Sequence, residues 1–353
     1  MASPTISLII RCYNEAEHLG KLLHGIAAQS IQDYEIILVD SGSTDGTVEL
    51  AEEFGVEQIE YIDPEEFSFG RALNYGCQAA SGEYLVIASA HVYPRHTDWL
   101  SQLLDKFEDN VALVYGKQRG NEITTFAENQ VFKQWFPDDD IIRQTHPFCN
   151  NANAVIRREL WEQYRYNEQL TGLEDVDWAK RVQADGYDIS YASEAEVIHV
   201  HDENPREIFN RYRREAYAHK QIMPAQSFSI LDFVRLSITH ILTDYYTAIG
   251  EGRLSSNIVE IPKFRLLQFW GTYRGFSSEG PISDQLWQRF YYPDRETFPQ
   301  SNNPSETSGS RRRDSAVVDE YKSETESQPE ATEIDYSSQE GYPSNQNREM
   351  IQQ

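Results

Sequence analysis

Short apolar runs alternate with helical patterns through the first two hundred residues. Ile6 to Arg11, Tyr34 to Asp40, Val56 to Ile62 and Tyr84 to Ser89 are rich in Ile, Leu and Val and predict buried strands. Leu19, Leu22, Leu23 and Ile26 recur at helical spacing over Glu15 to Ser30. Thr47 to Phe54 predicts a shorter helix capped by Ser43 or Thr44. Strands alternating with helices imply an α/β fold, a mostly parallel sheet covered on both faces. Such sheets bind ligands beyond the C-terminal ends of their strands. Polar clusters fall at three of those ends, at Cys12 to Glu15, Asp40 to Thr47 and Ser89 to His91.

The pattern changes at about Pro224. Ile230 to Ile249 and Lys263 to Tyr273 predict helices, with Phe233, Leu236, Ile241 and Tyr245 as a stripe for core packing, a partner or a membrane surface. From Asp294 onward Ser, Glu, Gln, Asn and Pro dominate, too polar to offset chain entropy, so a disordered tail is expected. The expected organisation is an α/β domain over 1–222, a helical C-terminal region over 223–293 and an acidic tail over 294–353.

Composition narrows the picture. A formal net charge of −26 over 353 residues excludes nucleic acid as the main partner and simple electrostatic adhesion to an anionic membrane. Three cysteines, Cys12, Cys77 and Cys149, form neither a disulfide framework nor a Cys-x-x-Cys metal pair, which fits reduced thiols in a cytoplasmic protein. The first residues carry no signal-peptide pattern, and no run reaches the roughly 18 apolar residues of a membrane span. Peripheral contact with the inner face of a membrane stays open.

The sharpest chemistry lies in IILVDSGSTDGTVEL. An acid at a strand's end before a tight turn offers a carboxylate, Asp40, to a nucleobase or ribose. Upstream, RCYNEAEHL sets Asn14 and Glu15 at the first strand's end. Together these stretches resemble the nucleotide-binding half of glycosyltransferase family 2, with a likeness to bacterial rhamnosyltransferases through VDSGSTDGT, FSFGRALN and NANAVIRR. The resemblance covers roughly Ile6 to Lys220. It implies a GT-A fold followed by a helical appendage, and inverting transfer of a hexosyl or deoxyhexosyl group from a UDP- or dTDP-linked sugar. The acceptor would be a glycan, a glycolipid or a small molecule. By the same resemblance Cys12, Asn14, Glu15, Asp40, Ser41, Asp45, Ser89 and Asn153 would border the donor, with Arg71 and Asn74 near its diphosphate. Asn151, Arg157 and Arg158 are further wall candidates.

One departure stands out. Where the family usually carries Asp-x-Asp for a divalent cation, this chain has Ser89, Ala90 and His91. Imidazole suits a borderline metal such as Mn²⁺ better than Mg²⁺. Three readings follow: His91 is a ligand, His91 donates to the diphosphate, or no metal is used. In AEVIHVHDEN, His199 and His201 share one face of a strand, and His201 matches the family's returning histidine. Further on, Glu174 and Asp175 open a helix, and the resemblance makes Asp175 the general base and Glu174 its partner. Two alternatives remain. A catalytically inactive nucleotide-sugar-binding scaffold fits the missing Asp-x-Asp, though not the retained acid pair. A nucleotidyltransferase would need a Gly-rich basic loop after the first strand, which RCYNEAEHL lacks. Oligomerisation through the C-terminal helices is a further expectation.

Overall fold

The computed structural model describes residues 4–56, 58–280, 283–292 and 331–336. Its first half is a run of strand–helix units: β1 (Ile6–Cys12), α1 (Ala16–Ala27), β2 (Tyr34–Asp40), α2 (Thr47–Glu53), β3 (Gln58–Tyr61), α3 (Phe69–Ala79) and β4 (Tyr84–Ser89). All four strands pair in parallel, with Ile9 of β1 between Ile37 and Ile87. Alternation along β1 serves two cores. Ile9 enters the layer beneath α3, whereas Ile6, Leu8 and Ile10 enter the layer beneath α1. The α2 cap differs from expectation. Gly46, with φ 96°, is the N-cap, and the Thr47 N–H is taken by the Asp45 carboxylate. Ser43 instead accepts the Asn14 N–H and so ties two loops together.

The second half reverses direction twice. β5 (Val92–Pro94), α4 (Trp99–Leu104), β6 (Val111–Arg119), α5 (Phe126–Trp135), β7 (Asn153–Arg157), α6 (Arg158–Gln163), α7 (Glu174–Ala184) and β8 (Asp188–His199) complete a sheet of order β3-β2-β1-β4-β7-β6-β8-β5. β7 runs antiparallel between β4 and β6, and β5 antiparallel on β8. β6 and β8 are parallel, so the C-terminal ends of β1, β2, β4, β6 and β8 share one edge.

The C-terminal helices are α8 (Pro205–Ile222), α9 (Ile230–Gly250), α10 (Leu254–Asn257), α11 (Glu260–Phe276) and α12 (Asp284–Tyr291). α11 lies close along α8 because two glycines leave room. A Cβ on Gly271 would stand 2.6 Å from the Phe209 carbonyl, and one on Gly275 2.5 Å from that of Arg213. A buried Arg265–Asp244 pair at 2.7 Å joins α11 to α9, and Arg265 also donates to the Ala127 carbonyl of α5. Of the expected stripe, Ile241 and Tyr245 face inward, onto Phe126, Ala248 and Ile261.

Most of the expected disordered tail lies outside the described residues. Residues 331–336 depart from that expectation, since they lie extended along 94–97. Thr97 N–H donates to the Thr332 carbonyl at 3.0 Å, and Ile334 N–H to that of Arg95 at 2.9 Å. Arg95 pairs with Glu333, the Tyr336 ring meets Tyr93, and the Tyr336 hydroxyl donates to the Pro94 carbonyl. Gly25 in α1 supplies the notch for that hydroxyl, which the Cβ of any other residue would enter. The extended backbone just past β5, at Arg95 and Thr97, gives this polar segment partners that its composition could not foretell.

Candidate active site

The loops after β1 and β2 close on each other at the shared sheet edge. Asn14 adopts φ 55°, its N–H bonds Ser43 Oγ at 2.9 Å, and its Oδ1 accepts the Thr44 N–H at 2.8 Å. Glu15 N–H donates to Thr47 Oγ1, while the Asp45 carboxylate accepts the N–H groups of Ala16 and Thr47. Asp40 is 2% exposed and accepts the N–H groups of Gly42 and Ser43. Beside it the Cys12 thiol is pushed far up, by burial first and then by Asp40. Asp40 and Asp45 therefore shape the turn, each through the loop's own backbone donors, which take part of each carboxylate's accepting capacity. Ser41 is buried and bonds the Cys12 carbonyl.

Two asparagines and an arginine expected at the donor are also committed elsewhere. Asn74 donates to the Tyr166 carbonyl and to Glu168, and accepts from Trp161 Nε1 and the Tyr166 N–H. Those four bonds exhaust its amide, leaving nothing for a diphosphate. Asn153 is fully buried, accepting from Trp99 and donating to the carbonyls of Lys117 and Ala195. Arg71 pairs with Glu168 at 3.0 Å and donates to the Glu66 carbonyl. Arg157 and Arg158 bond backbone carbonyls at Val111 and Ala80, away from this edge. Ser89 stands half-buried at the end of β4.

The histidines converge. His91, His199 and His201 each offer a ring nitrogen, all within 4.8 Å of one another. In each ring Nδ1 is occupied: by Glu15 at 2.8 Å, by Gln118 Oε1 at 2.7 Å and by Glu128 at 2.6 Å, respectively. The Nε2 atoms of His199 and His201 face each other at 3.0 Å. With Nδ1–H donated outward, both Nε2 atoms would present lone pairs to a shared cation; with either Nε2 protonated, the same contact is an N–H···N hydrogen bond between the rings. Burial, and then His201, holds His199 well below the usual imidazole range, keeping it neutral. Burial opposes charge on His91 too, but the charge and hydrogen bond of Glu15 outweigh it and raise that ring. Glu128 is anchored by Arg211, which also grips Glu203. Among the described residues Glu128, His201 and Glu203 form a second grouping of potential ligands. His199 closes β8 and His201 follows two residues later, just past the strand's end; their spacing made the pair visible in the sequence. Glu128, Gln118 and Arg211 come from other elements, with no local signal.

The acid pair sits where expected, at the first turn of α7. Leu173 before it takes φ 56°, a left-handed conformation costly for leucine, of order 1–2 kcal/mol. Glu174 is 4% and Asp175 7% exposed. Glu174 contacts Arg11 and the Asn151 amide, each at 3.4 Å. Asp175 accepts the N–H groups of Asn151 and Val176, yet burial and the adjacent Glu174 push its carboxyl up to about 7. Arg11 links this pair to the histidines, since its charge lowers both Asp175 and His91. Arg11 and Arg214 stand on the Phe69 ring, each 4.7 Å from its centroid, and each keeps a buried Nε–H without a partner. Neither arginine was singled out from sequence. α12 crosses nearby, Trp287 donating to the Phe67 carbonyl and Tyr292 to that of Ser41.

The loops, the imidazole cluster and the buried acid pair thus gather at one loop-bounded edge of the sheet. Residues 7–165 match the family described as Glycosyl transferase family 2. Over those residues the chain is similar to glycosyltransferase family 2. Among curated relatives, this glycosyltransferase is 29% identical over 226 residues to the O-antigen chain rhamnosyltransferase WbaN of Salmonella anatum, covering 59% of this chain and 70% of that one. It is 28% identical to the glycosyltransferase AglE of Haloferax volcanii, covering 57% of this chain and 68% of the relative. The mannosyltransferase PcManGT of Pyrobaculum calidifontis, solved with GDP-Man and Mn²⁺, superposes with a TM-score of 0.53 at 17% identity, over 84% of this chain and 89% of that chain. That likeness shows the GT-A fold of this glycosyltransferase. None of its described helices is long and apolar enough to cross a membrane.

Proposed function

We propose that the enzyme transfers a sugar, with inversion, from a nucleoside diphosphate sugar to an acceptor hydroxyl, and that Asp175 is the general base. The buried Asp175 carboxyl, raised to about 7, carries this reading. A base of that strength takes a proton near neutral pH and is not lost to permanent ionisation or permanent protonation. The acceptor oxygen gives its proton to Asp175 and forms the new bond to the anomeric carbon. The bond from that carbon to the diphosphate breaks, and its electron pair leaves with the diphosphate. Attack from the face opposite the leaving group inverts the centre.

The nucleoside lies against the loops at Tyr13 to Glu15 and Ser41 to Thr44, with Arg11 holding Glu174 beside the base. His91, His199 and His201 would hold a divalent cation through Nε2. The all-nitrogen set and its hydrogen-bonded Nδ1 atoms fit a borderline metal such as Mn²⁺ better than Mg²⁺. Such an ion supplies positive charge to the departing diphosphate. The rhamnosyltransferase relatives favour a deoxyhexose donor and a surface polysaccharide or glycolipid acceptor. Asp175→Asn should reduce kcat by at least about a hundredfold while calorimetry still records donor binding. Wild-type turnover in that variant would falsify the base assignment.

A further inference from the structure

The outer face of α9 carries an apolar stripe that the fold does not use. Leu231, Val234, Ile238, Leu242, Tyr246 and Ile249 are exposed, Leu231 by 76% and Tyr246 by 80%. The opposite side of the helix, with Ser237, Asp244 and Ala248, is the one buried in the domain. Isolated exposed apolar residues are ordinary, but six in register along one helix are not.

The stripe has a second property. Its successive spacings are three, four, four, four and three residues, so it reads the same from either end. Two antiparallel copies related by a two-fold axis would set Leu231 against Ile249, Val234 against Tyr246 and Ile238 against Leu242. Each pair then occurs twice, as an isologous contact requires, and the bulky Tyr246 meets the small Val234. The six side chains offer on the order of 800 Å² per copy, close to what a standard interface takes from each partner.

Other occupants fit less well. The sequence outside the described residues, 293–330 and 337–353, holds no comparable apolar repeat to fold back on the helix. α9 has no lysine and a single arginine, Arg235, next to Asp232. A helix lying on an anionic membrane carries a basic polar face, which this one lacks, and the chain as a whole bears −26.

We propose that this face is a self-association surface, pairing α9 with α9 of a second copy in antiparallel register. The inference does not depend on the reaction catalysed. Sedimentation velocity of the full chain at tens of micromolar should show a dimer. Leu242→Glu should raise its dissociation constant by at least about a hundredfold, because a lone carboxylate would be buried. The melting temperature of that variant, measured below the dimer's dissociation constant, should match wild type, separating lost pairing from lost folding. Register is tested by cysteines on a background where Cys12, Cys77 and Cys149 are buried. Leu231→Cys and Ile249→Cys stand about 27 Å apart on one helix at 1.5 Å per residue, so neither should cross-link alone. The two single variants mixed should cross-link to each other. A monomeric wild type, with or without vesicle binding, overturns the proposal, and so does efficient cross-linking of Leu231→Cys to itself.

Discussion

Asp175 owes its strength as a base to its place in the fold. An exposed aspartate titrates near 3.9 and would be a spectator at neutral pH. Here burial, with Glu174 alongside, holds the carboxyl at about 7 despite two backbone donors. Since the base acts ionised, kcat/KM should rise with pH and level off above about 7. The same shift has a consequence for stability. A carboxyl raised in the folded state favours folding fully below its unfolded value near 3.9, and that contribution is lost as pH rises to about 7. Asp175→Asn cannot ionise. Thermal melts should therefore show the variant gaining on wild type between pH 5 and pH 7.5, whatever the offset at pH 5. A difference independent of pH would mean that Asp175 titrates as an ordinary exposed acid.

At the scale of elements, β1, β2 and β4 were legible because each carries a dense run of Ile, Leu and Val bounded by polar turns, whereas β3 holds a single such residue, Ile59. Direction was not legible. An apolar run reads alike both ways, so the reversal of β7 and the three-residue β5 left no mark. In the candidate site, the residues that the sequence marked and the fold brings together are His91 with His201 and Glu174 with Asp175. The site was illegible where a polar residue at a strand end or in a helix serves the scaffold. Asn74 shows why, since sequence gives an amide's type but not the four partners it finds. It binds α3 to Trp161 in α6 and to the segment at Tyr166 and Glu168. Asn74→Ala strands several buried donors and acceptors and should cost about 3 kcal/mol in denaturant unfolding. A diphosphate ligand would instead leave stability intact and weaken donor binding.

At the scale of the whole molecule, the far end of the chain returns to the catalytic sheet. Residues 331–336 lie along 94–97, next to the β5 strand that follows His91. Gly25→Ala fills the notch taken by the Tyr336 hydroxyl and also brings its Cβ to 2.8 Å from the Pro94 ring, which offsets the roughly 1 kcal/mol by which alanine favours a helix over glycine. Hydrogen exchange at the Ile334 and Thr97 amides should quicken in this variant by more than any fall in the main melting temperature accounts for. Unchanged protection would show that the segment finds room elsewhere.

Beyond chain continuity, 331–336 has contacts of its own. Its anchors are two backbone bonds, the Glu333 ion pair with Arg95 and the seated Tyr336 ring. A single protease cut within 293–330 should consequently yield two pieces that migrate as one in native electrophoresis, the shorter riding on the longer like a strand donated from outside.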